Sequence, residues 1–228
     1  MESYFNIELV FKDLPQLLSR LHVTLLIVLS ATIIGLFLGA ILALFRVYKV
    51  PILNHITIIY ISFIRGTPIL VQMFIVFYGL PMLLMLVGIN INRWDKLYFV
   101  IVTYGLNAAA FNAEIIRAAI TSIPEGQAEA AYSVGMTKLQ TFLRIIAPQS
   151  IIIILPTFGI GLIGLFQDTS LAFTLGIIDV MGKVNTIAAS TYRSLEGYVS
   201  AALIFLVLSI LLEQLFSLMD KKLQIQKI

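Results

Sequence analysis

Four of the ionisable side chains that interrupt long apolar stretches of this chain are the first candidates for chemistry. They are Arg65, Glu114, Arg117 and Asp168. A charge in such a stretch is costly unless it is paired or faces water, so residues of this kind are functional candidates by default. Glu114 and Arg117 are three residues apart, hence neighbours on one helix face. This spacing predicts a structural ion pair.

Asp168 lies in a short polar break, Gln167-Asp168-Thr169-Ser170, near the end of an apolar run. If the run crosses a membrane, a broken polar segment within it must face protein or a water-filled cavity. We therefore expect these residues to belong to a translocation path or its outer gate. Whether Gln167 and Asp168 contact a substrate or only pack stays open.

Other polar positions leave two interpretations open. Arg65 either shapes an inner gate or extends its guanidinium to lipid headgroups. Gln72, Asn107 and Asn112 could line a path, but for each residue singly interhelical hydrogen bonding is the better explanation.

Several kinds of chemistry are missing from the sequence. It has no Gly-x-x-x-x-Gly-Lys-Ser/Thr phosphate loop, no cysteine and no His-Glu-x-x-His pair. We therefore expect no catalytic residue, no metal site and no cofactor in this chain. A membrane-embedded enzyme would also need a nucleophile–base pair or a metal constellation, and we find neither. Energy for any work must come from elsewhere.

Composition indicates a membrane protein. The 228 residues are 60% hydrophobic and only 12% charged, against about 25% charged in a typical soluble domain. The isoelectric point near 9.1 is explained by basic cytoplasmic loops without any nucleic acid. We predict one all-α transmembrane domain of about five spans with a cytoplasmic loop at 121–146. The predicted spans are 22–45, 56–89, 97–120, 147–178 and 197–219.

Five spans put the two chain ends on opposite sides of the membrane. With the C-terminus inside, the inner segments carry seven Lys and Arg residues and the outer segments six. The positive-inside rule therefore favours an outer N-terminus and a cytoplasmic C-terminus by a small margin.

A polar island, which we define as residues 121–146, lies between two apolar runs. Ser122 with Glu125, and Thr137 with Gln140, fit capping boxes that start two short helices. Gly135 fits the position just past the first helix, where a positive φ favours glycine. The residues alone leave two alternatives open, a loop on the lipid surface and a docking site for another protein.

The island resembles the EAA motif of ABC importer permeases, which reads Glu-Ala-Ala, three residues, Gly, nine residues, Ile-x-Leu-Pro. Ala147 stands where that family usually has Leu. "SFIRGTPILVQMFIVFYGLP", "AEIIRAAITSIPEGQAEAA" and "QDTSLAF" resemble the polar amino acid branch, although Gln167 replaces the usual Lys. The matching EAA positions are Glu129, Ala130, Ala131, Gly135, Ile145 and Pro148.

The resemblance implies the fold of a type I ABC importer permease in a bacterial cell membrane. The island would be a coupling helix seated on a separate ATP-binding subunit, which would hold ATP and Mg²⁺. An extracytoplasmic amino-acid-binding protein and a second permease copy, or a sister permease, are the other implied partners. "YISFIRGTPILVQ" and "TSLAFTLGIIDVMGK" look most like permeases for L-cystine and related sulfur amino acids.

Two alternatives to a cystine permease remain. The chain could serve another polar amino acid, such as arginine, histidine, glutamine or glutamate. It could also be an ion-coupled secondary transporter, but such proteins usually have more spans and inverted repeats.

Overall fold

The computed structural model describes residues 5–225, and every regular element in that range is helical. The predicted locations of the two chain ends fall on residues 1–4 and 226–228, which lie outside the described range. The α-helices in chain order are α1 (Ile7–Leu18), α2 (Leu21–Val47), α3 (Leu53–Gly66), α4 (Ile69–Phe74), α5 (Leu80–Met85), α6 (Lys96–Thr121), α7 (Glu125–Ser133), α8 (Lys138–Thr141), α9 (Ala147–Asp168), α10 (Val180–Thr191) and α11 (Leu195–Ile225).

Three short helical turns of other types connect some of these helices. The π-helical turn Ile75–Gly79 joins α4 to α5, and the π-helical turn Phe142–Ile146 joins α8 to α9. The 3₁₀ helix Thr169–Leu175 continues α9. Because Pro148 lies in the first turn of α9, where a missing N–H is tolerated, the chain stays helical from the island into the membrane.

Among residues 5–225, four helices are long and apolar enough to cross a membrane: Leu21–Val47, Lys96–Thr121, Lys138–Leu175 and Leu195–Leu223. A fifth span is formed if Leu53–Gly66 and Ile69–Met85 count as one, and these two segments are bent by 114°. The bend falls at Thr67-Pro68, where proline disfavours a helical conformation in the residue before it. Four or five spans agree with the predicted all-α membrane fold.

Helices α2 and α6 approach closely along a line of small residues, which we call the seam. A methyl group added at Gly35 would lie 2.5 Å from Cβ of Ala108, and one added at Gly39 would lie 2.8 Å from Cβ of Asn112. Small residues of this kind let membrane helices pack backbone to backbone. The seam consists of Ala31, Gly35, Gly39 and Ala43 on α2 and Gly105, Ala109 and Ala113 on α6.

The main apolar core lies between α2, α6 and the end of α9. Tyr104 of α6 and Phe166 of α9 are almost fully buried in it. The Tyr104 hydroxyl donates a hydrogen bond to the carbonyl oxygen of Asp168. This bond fixes α6 against the point where α9 changes to a 3₁₀ helix.

A second apolar cluster joins the first helix to the last two. Leu17 of α1 packs with Val180 and Val184 of α10 and with residues of α11. The Ser200 hydroxyl donates to the carbonyl oxygen of Val10 at 2.9 Å. Helix α1 is thereby attached beside the beginning of α11.

Candidate functional site: the polar island and a cavity beside α9

The first helix of the island, α7, begins differently from the sequence prediction. The predicted capping box of Ser122 and Glu125 is wrong, because the N-cap of α7 is Pro124 and no side chain caps it. The Ser122 hydroxyl instead donates to the carbonyl oxygen of Ala119 at 2.8 Å. Serine at the end of α6 has free backbone acceptors within reach, so it bonds backwards.

The glycine bend and the second capping box are confirmed. Gly135 has a φ of +84°, a conformation that L side chains rarely adopt. The amide of Gln140 donates to the Thr137 hydroxyl at 3.3 Å, and the amide of Thr137 donates to the Gln140 side chain at 2.9 Å. The island is therefore helix, bend, helix.

The island presents two exposed acids, Glu125 and Glu129, among exposed apolar side chains. Glu129 and Ala130 are exposed, whereas Ala131 is 5% exposed and faces inward. Of the predicted Glu-Ala-Ala surface, only the first two residues are therefore accessible to a partner. Large apolar side chains beside them are also exposed: Tyr132 (46%), Val134 (78%), Leu139 (66%) and Leu143 (57%).

A cluster of charges lies just before the island. The Glu114 carboxylate binds Arg117 at 2.8 Å, as the i,i+3 spacing predicts. Its other oxygen binds Arg46 of α2 at 2.7 Å. Glu114 therefore bridges two arginines from different helices, and sequence reasoning identified only one of them.

Arg65, the candidate for an inner gate, and Gln72, a candidate for the path, have different surroundings. Arg65 ends α3 as an exposed side chain and stacks over the Phe111 ring, with its guanidinium carbon 5.7 Å from the ring centre. Gln72 is buried and donates to the carbonyl oxygens of Ile64 (2.7 Å) and Thr67 (2.9 Å). Its amide therefore satisfies backbone oxygens that the bend after α3 leaves without helical partners.

A cavity of about 370 Å³ lies between α2, α6 and α9. Asn107 and Asn112 of α6 and Asp168 of α9 contribute polar groups to its wall, as do Thr32 and Thr157. The side-chain amide of Asn107 also donates to Gln72 at 2.9 Å, which fixes its orientation. The structure therefore brings together three of the predicted path residues and adds two threonines.

The polar break near the end of α9 is divided between two surfaces. Gln167 and Ser170 line a separate groove of about 450 Å³ against α10 and α11, and Gln167 lies 3.4 Å from the Ser209 hydroxyl. Thr169 is fully buried and donates to the carbonyl oxygen of Phe166. Only Asp168 of this group faces the cavity.

Sequence reasoning did not identify the seam, Arg46, Thr32 or Thr157. A small residue at every fourth position from Ala31 to Ala43 was the signal for the seam. For the threonines, a hydroxyl within an otherwise apolar run was the only signal. Arg46 carries no local sign of its partner, because Glu114 is 68 residues away.

Taken together, these features define a multi-pass membrane protein with a cavity between its spans and an accessible polar island on one side. Residues 35–225 match the family model for the binding-protein-dependent transport system inner membrane component. The chain belongs to this family. Its members are transport subunits of ABC importers, which use ATP in a partner ATPase, and are not enzymes.

Individual relatives agree with this assignment. The chain is 42% identical over 224 residues to the L-cystine transport system permease protein TcyL of Bacillus subtilis (strain 168), covering 98% of this chain and 94% of the relative. It is 39% identical over 214 residues to the probable amino-acid permease protein YxeN of the same organism, covering 94% of each chain. A crystal structure of an amino acid ABC transporter with histidines matches with a TM-score of 0.84 and 32% identity, covering 96% and 99%.

Proposed function

We propose that this chain is the permease subunit of an ATP-driven importer of polar amino acids in a bacterial cell membrane, with L-cystine as its substrate. The observation that carries the substrate assignment is the 42% identity to an L-cystine permease along 98% of the chain. Arginine, histidine, glutamine and glutamate remain alternative substrates within the same function.

The polar island is the proposed coupling element. The exposed Glu129 and Ala130, with the exposed apolar side chains around them, suit docking into a cleft of an ATP-binding subunit that holds ATP and Mg²⁺. Residues 122–124 join α7, the first helix of the island, to α6, and the second helical segment of the island continues into α9. Since α6 and α9 both line the cavity, displacement of the island would move two of the cavity's walls.

The island side of the membrane is therefore the proposed cytoplasmic side, with the N-terminus outside and the C-terminus inside. An extracytoplasmic amino-acid-binding protein would deliver substrate to the opposite side. A second permease copy, or a sister permease, would cover α9, where Gly161 and Gly164 have open space in front of them within this chain.

The cavity is the proposed part of the translocation path. Cystine carries two ammonium and two carboxylate groups. The Asp168 carboxylate suits an ammonium group, whereas the side-chain amides of Asn107 and Asn112 can donate hydrogen bonds to a carboxylate. The five remaining path candidates contribute less directly, since Gln72 closes a helix end and Gln167 faces another groove. They are Arg65, Gln72, Gln167, Thr169 and Ser170.

The test of substrate identity is uptake of labelled cystine in cells with and without this chain, competed by unlabelled arginine, histidine, glutamine, glutamate and methionine. We expect uptake to depend on the chain and to be blocked by cystine but not by arginine. Unchanged uptake without the chain would contradict the cystine assignment. Competition by another amino acid would identify the alternative substrate.

Neighbouring residues of α9 provide a matched test of the path. Asp168→Asn removes the charge that faces the cavity, whereas Gln167→Ala alters the adjacent position on the other surface. We expect the first variant to reduce uptake strongly and the second to retain most of it. Equal effects of the two variants would contradict the proposed path.

An ion-coupled secondary transporter is the alternative of another class. Purified chain that moves substrate on an ion gradient without any ATP-binding subunit would establish that alternative. We expect instead that tagged chain in mild detergent retains an ATP-binding subunit and that uptake requires ATP.

A further inference from the structure

Arg46 lies in the last turn of α2 and contacts α6 rather than another part of its own helix. Its guanidinium is 2.7 Å from Glu114, and the two side chains are about one-fifth exposed, at 21% and 19%. A partly buried pair of this kind is less screened by solvent than a surface pair. The contact is therefore a specific tie between two spans.

The tie lies beyond the end of the seam. Ile34 faces Gly105, Gly35 faces Ala108, and Gly39 faces Asn112, so the contacts advance along both helices in the same direction. Helices α2 and α6 are therefore parallel, and Arg46 lies on the side of the membrane where α6 leads into the island. The seam itself offers only van der Waals contact, which fixes distance more firmly than register.

Glu114 also connects this tie to the approach to α7. Its second oxygen binds Arg117, one turn further along α6. From Glu114 to the end of α6 is seven residues, or about 10 Å at 1.5 Å per residue. Because only residues 122–124 separate α6 from α7, the direction in which α6 ends determines where α7 is presented.

At its other end the same pair of helices contacts the proposed gate. The Tyr104 hydroxyl of α6 donates to the carbonyl oxygen of Asp168, and Ile27 and Ala31 of α2 lie in the same buried cluster as Phe166. A rigid α2–α6 pair would therefore join the island to the end of α9.

We propose that α2 and α6 move as a single unit during transport, and that Arg46 is the positioning residue that keeps them in register through Glu114. This proposal rests on the proposed function, since it assumes that the island is driven by an ATPase. Arg46 contacts neither substrate nor ATPase in this account. Its role is to keep the end of α6 aligned so that movement of α7 is transmitted to the cavity.

The test uses the assembled transporter in liposomes, with its ATP-binding subunit and receptor, and measures ATP hydrolysis and substrate uptake together. For Arg46→Ala we expect normal assembly with the ATPase but a loss of at least about fivefold in substrate moved per ATP, the lower end of typical coupling between sites. Arg46→Lys, which keeps the charge but not the forked geometry, should restore part of the loss.

Lys49→Asn is the matched control. Lys49 supplies a positive charge between α2 and α3, three residues after Arg46. Its φ of 48° is one that asparagine tolerates. We expect this variant to keep the wild-type ratio of uptake to hydrolysis. If Arg46→Ala also keeps that ratio, or if Lys49→Asn loses it equally, the proposal is overturned.

A covalent replacement tests whether the two helices stay together. The chain has no cysteine, so Arg46→Cys with Glu114→Cys places a unique pair of thiols at the tie. We expect low coupling when the thiols are free and recovered coupling when a bifunctional thiol reagent bridges them. Bridging that blocks transport, with hydrolysis continuing, would show that α2 and α6 separate during the cycle.

These outcomes separate the inference from the function on which it rests. A wild-type complex that shows no ATP-dependent uptake would contradict the proposed function. A wild-type complex that transports normally, with Arg46 variants equal to it in uptake per ATP, would contradict only the role of Arg46.

Discussion

Glycines occur in two regions of this membrane domain with opposite surroundings. In the seam, an added Cβ at Gly35 or Gly39 would collide with α6 at 2.5–2.8 Å. On α9, Gly161 and Gly164 have nothing within 4 Å of the same position. The seam is an interface already completed within one chain, whereas the α9 surface is open in a single chain and borders the cavity.

This difference separates residues that we expect to matter for stability from residues that we expect to matter for transport. Residues that complete an interface inside the chain should be needed for the fold, and residues on the open α9 surface should be needed for what the folded chain does. The predictions that follow test this division, beginning with the largest expected effect.

Gly35→Val should destabilise the chain most. The added side chain would meet Cβ of Ala108 at 2.5 Å and its backbone at 3.2 Å, and overpacking of this kind costs about 3 kcal/mol. We expect a large loss of folded protein in the membrane, measured as monodisperse yield and thermal stability in detergent. Gly79→Val is the control, because nothing lies within 4 Å of a Cβ at Gly79.

Gly164→Val should leave the isolated chain folded but impair the assembled transporter. Within the chain the new side chain meets no atom within 4 Å, so we expect thermal stability close to wild type. A second permease copy or a substrate near the cavity would meet it, and uptake should fall severalfold. Unfolding of this variant, or unchanged uptake, would remove the distinction between the two glycine regions.

Tyr104→Phe tests the contact between the seam helices and the end of α9. The variant removes the donor to the carbonyl oxygen of Asp168, at a cost of about 1 kcal/mol. Tyr60→Phe is the matched control, because the Tyr60 hydroxyl donates to the Leu106 carbonyl oxygen at 2.6 Å. Both variants should lose similar thermal stability, and only Tyr104→Phe should also slow uptake.

Asp179 provides a prediction of another kind, a dependence of stability on pH rather than a loss at fixed pH. This residue caps α10 by accepting from the Gly182 amide at 2.8 Å, while its other oxygen is buried without a hydrogen-bond partner. Burial raises the pKa of the Asp179 carboxyl from 3.8 to about 6. The folded chain therefore holds this proton more tightly than the unfolded chain.

The sign of the effect follows from that difference. The stabilising contribution of protonated Asp179 to the free energy of unfolding is fully present below pH 3.8 and is lost as pH rises to about 6. Between these values the free energy of unfolding falls with a limiting slope of about 1.4 kcal/mol per pH unit. Thermal unfolding of wild type and Asp179→Asn across this range should differ in slope. Parallel curves for the two proteins would contradict the assignment.

Local sequence patterns predicted those parts of the island that depend on neighbouring residues. Gly135, the pair of Thr137 and Gln140, and the ion pair of Glu114 and Arg117 all form within a few residues, so their spacing contains the necessary information. Ser122 shows the limit of such patterns. Its hydroxyl could bond to the start of α7 or to the end of α6, and it donates to Ala119 in α6.

Contacts between distant segments could not be predicted in the same way. The neighbours Gln167 and Asp168 face different surfaces because the rotation of α9 is set by packing against α6 and α11. Arg46 meets Glu114 only because the seam brings α2 and α6 side by side. The roles proposed for the Glu-Ala-Ala surface and the cavity remain predictions.

The most direct test of the central claim measures whether the island couples this permease to ATP. In liposomes containing the transporter and its receptor, we predict that Glu129→Ala abolishes most ATP-driven uptake. Glu125→Ala, which changes an exposed acid one turn earlier on α7, should retain it. Uptake by Glu129→Ala equal to wild type, or wild-type uptake that proceeds without ATP, would contradict the account.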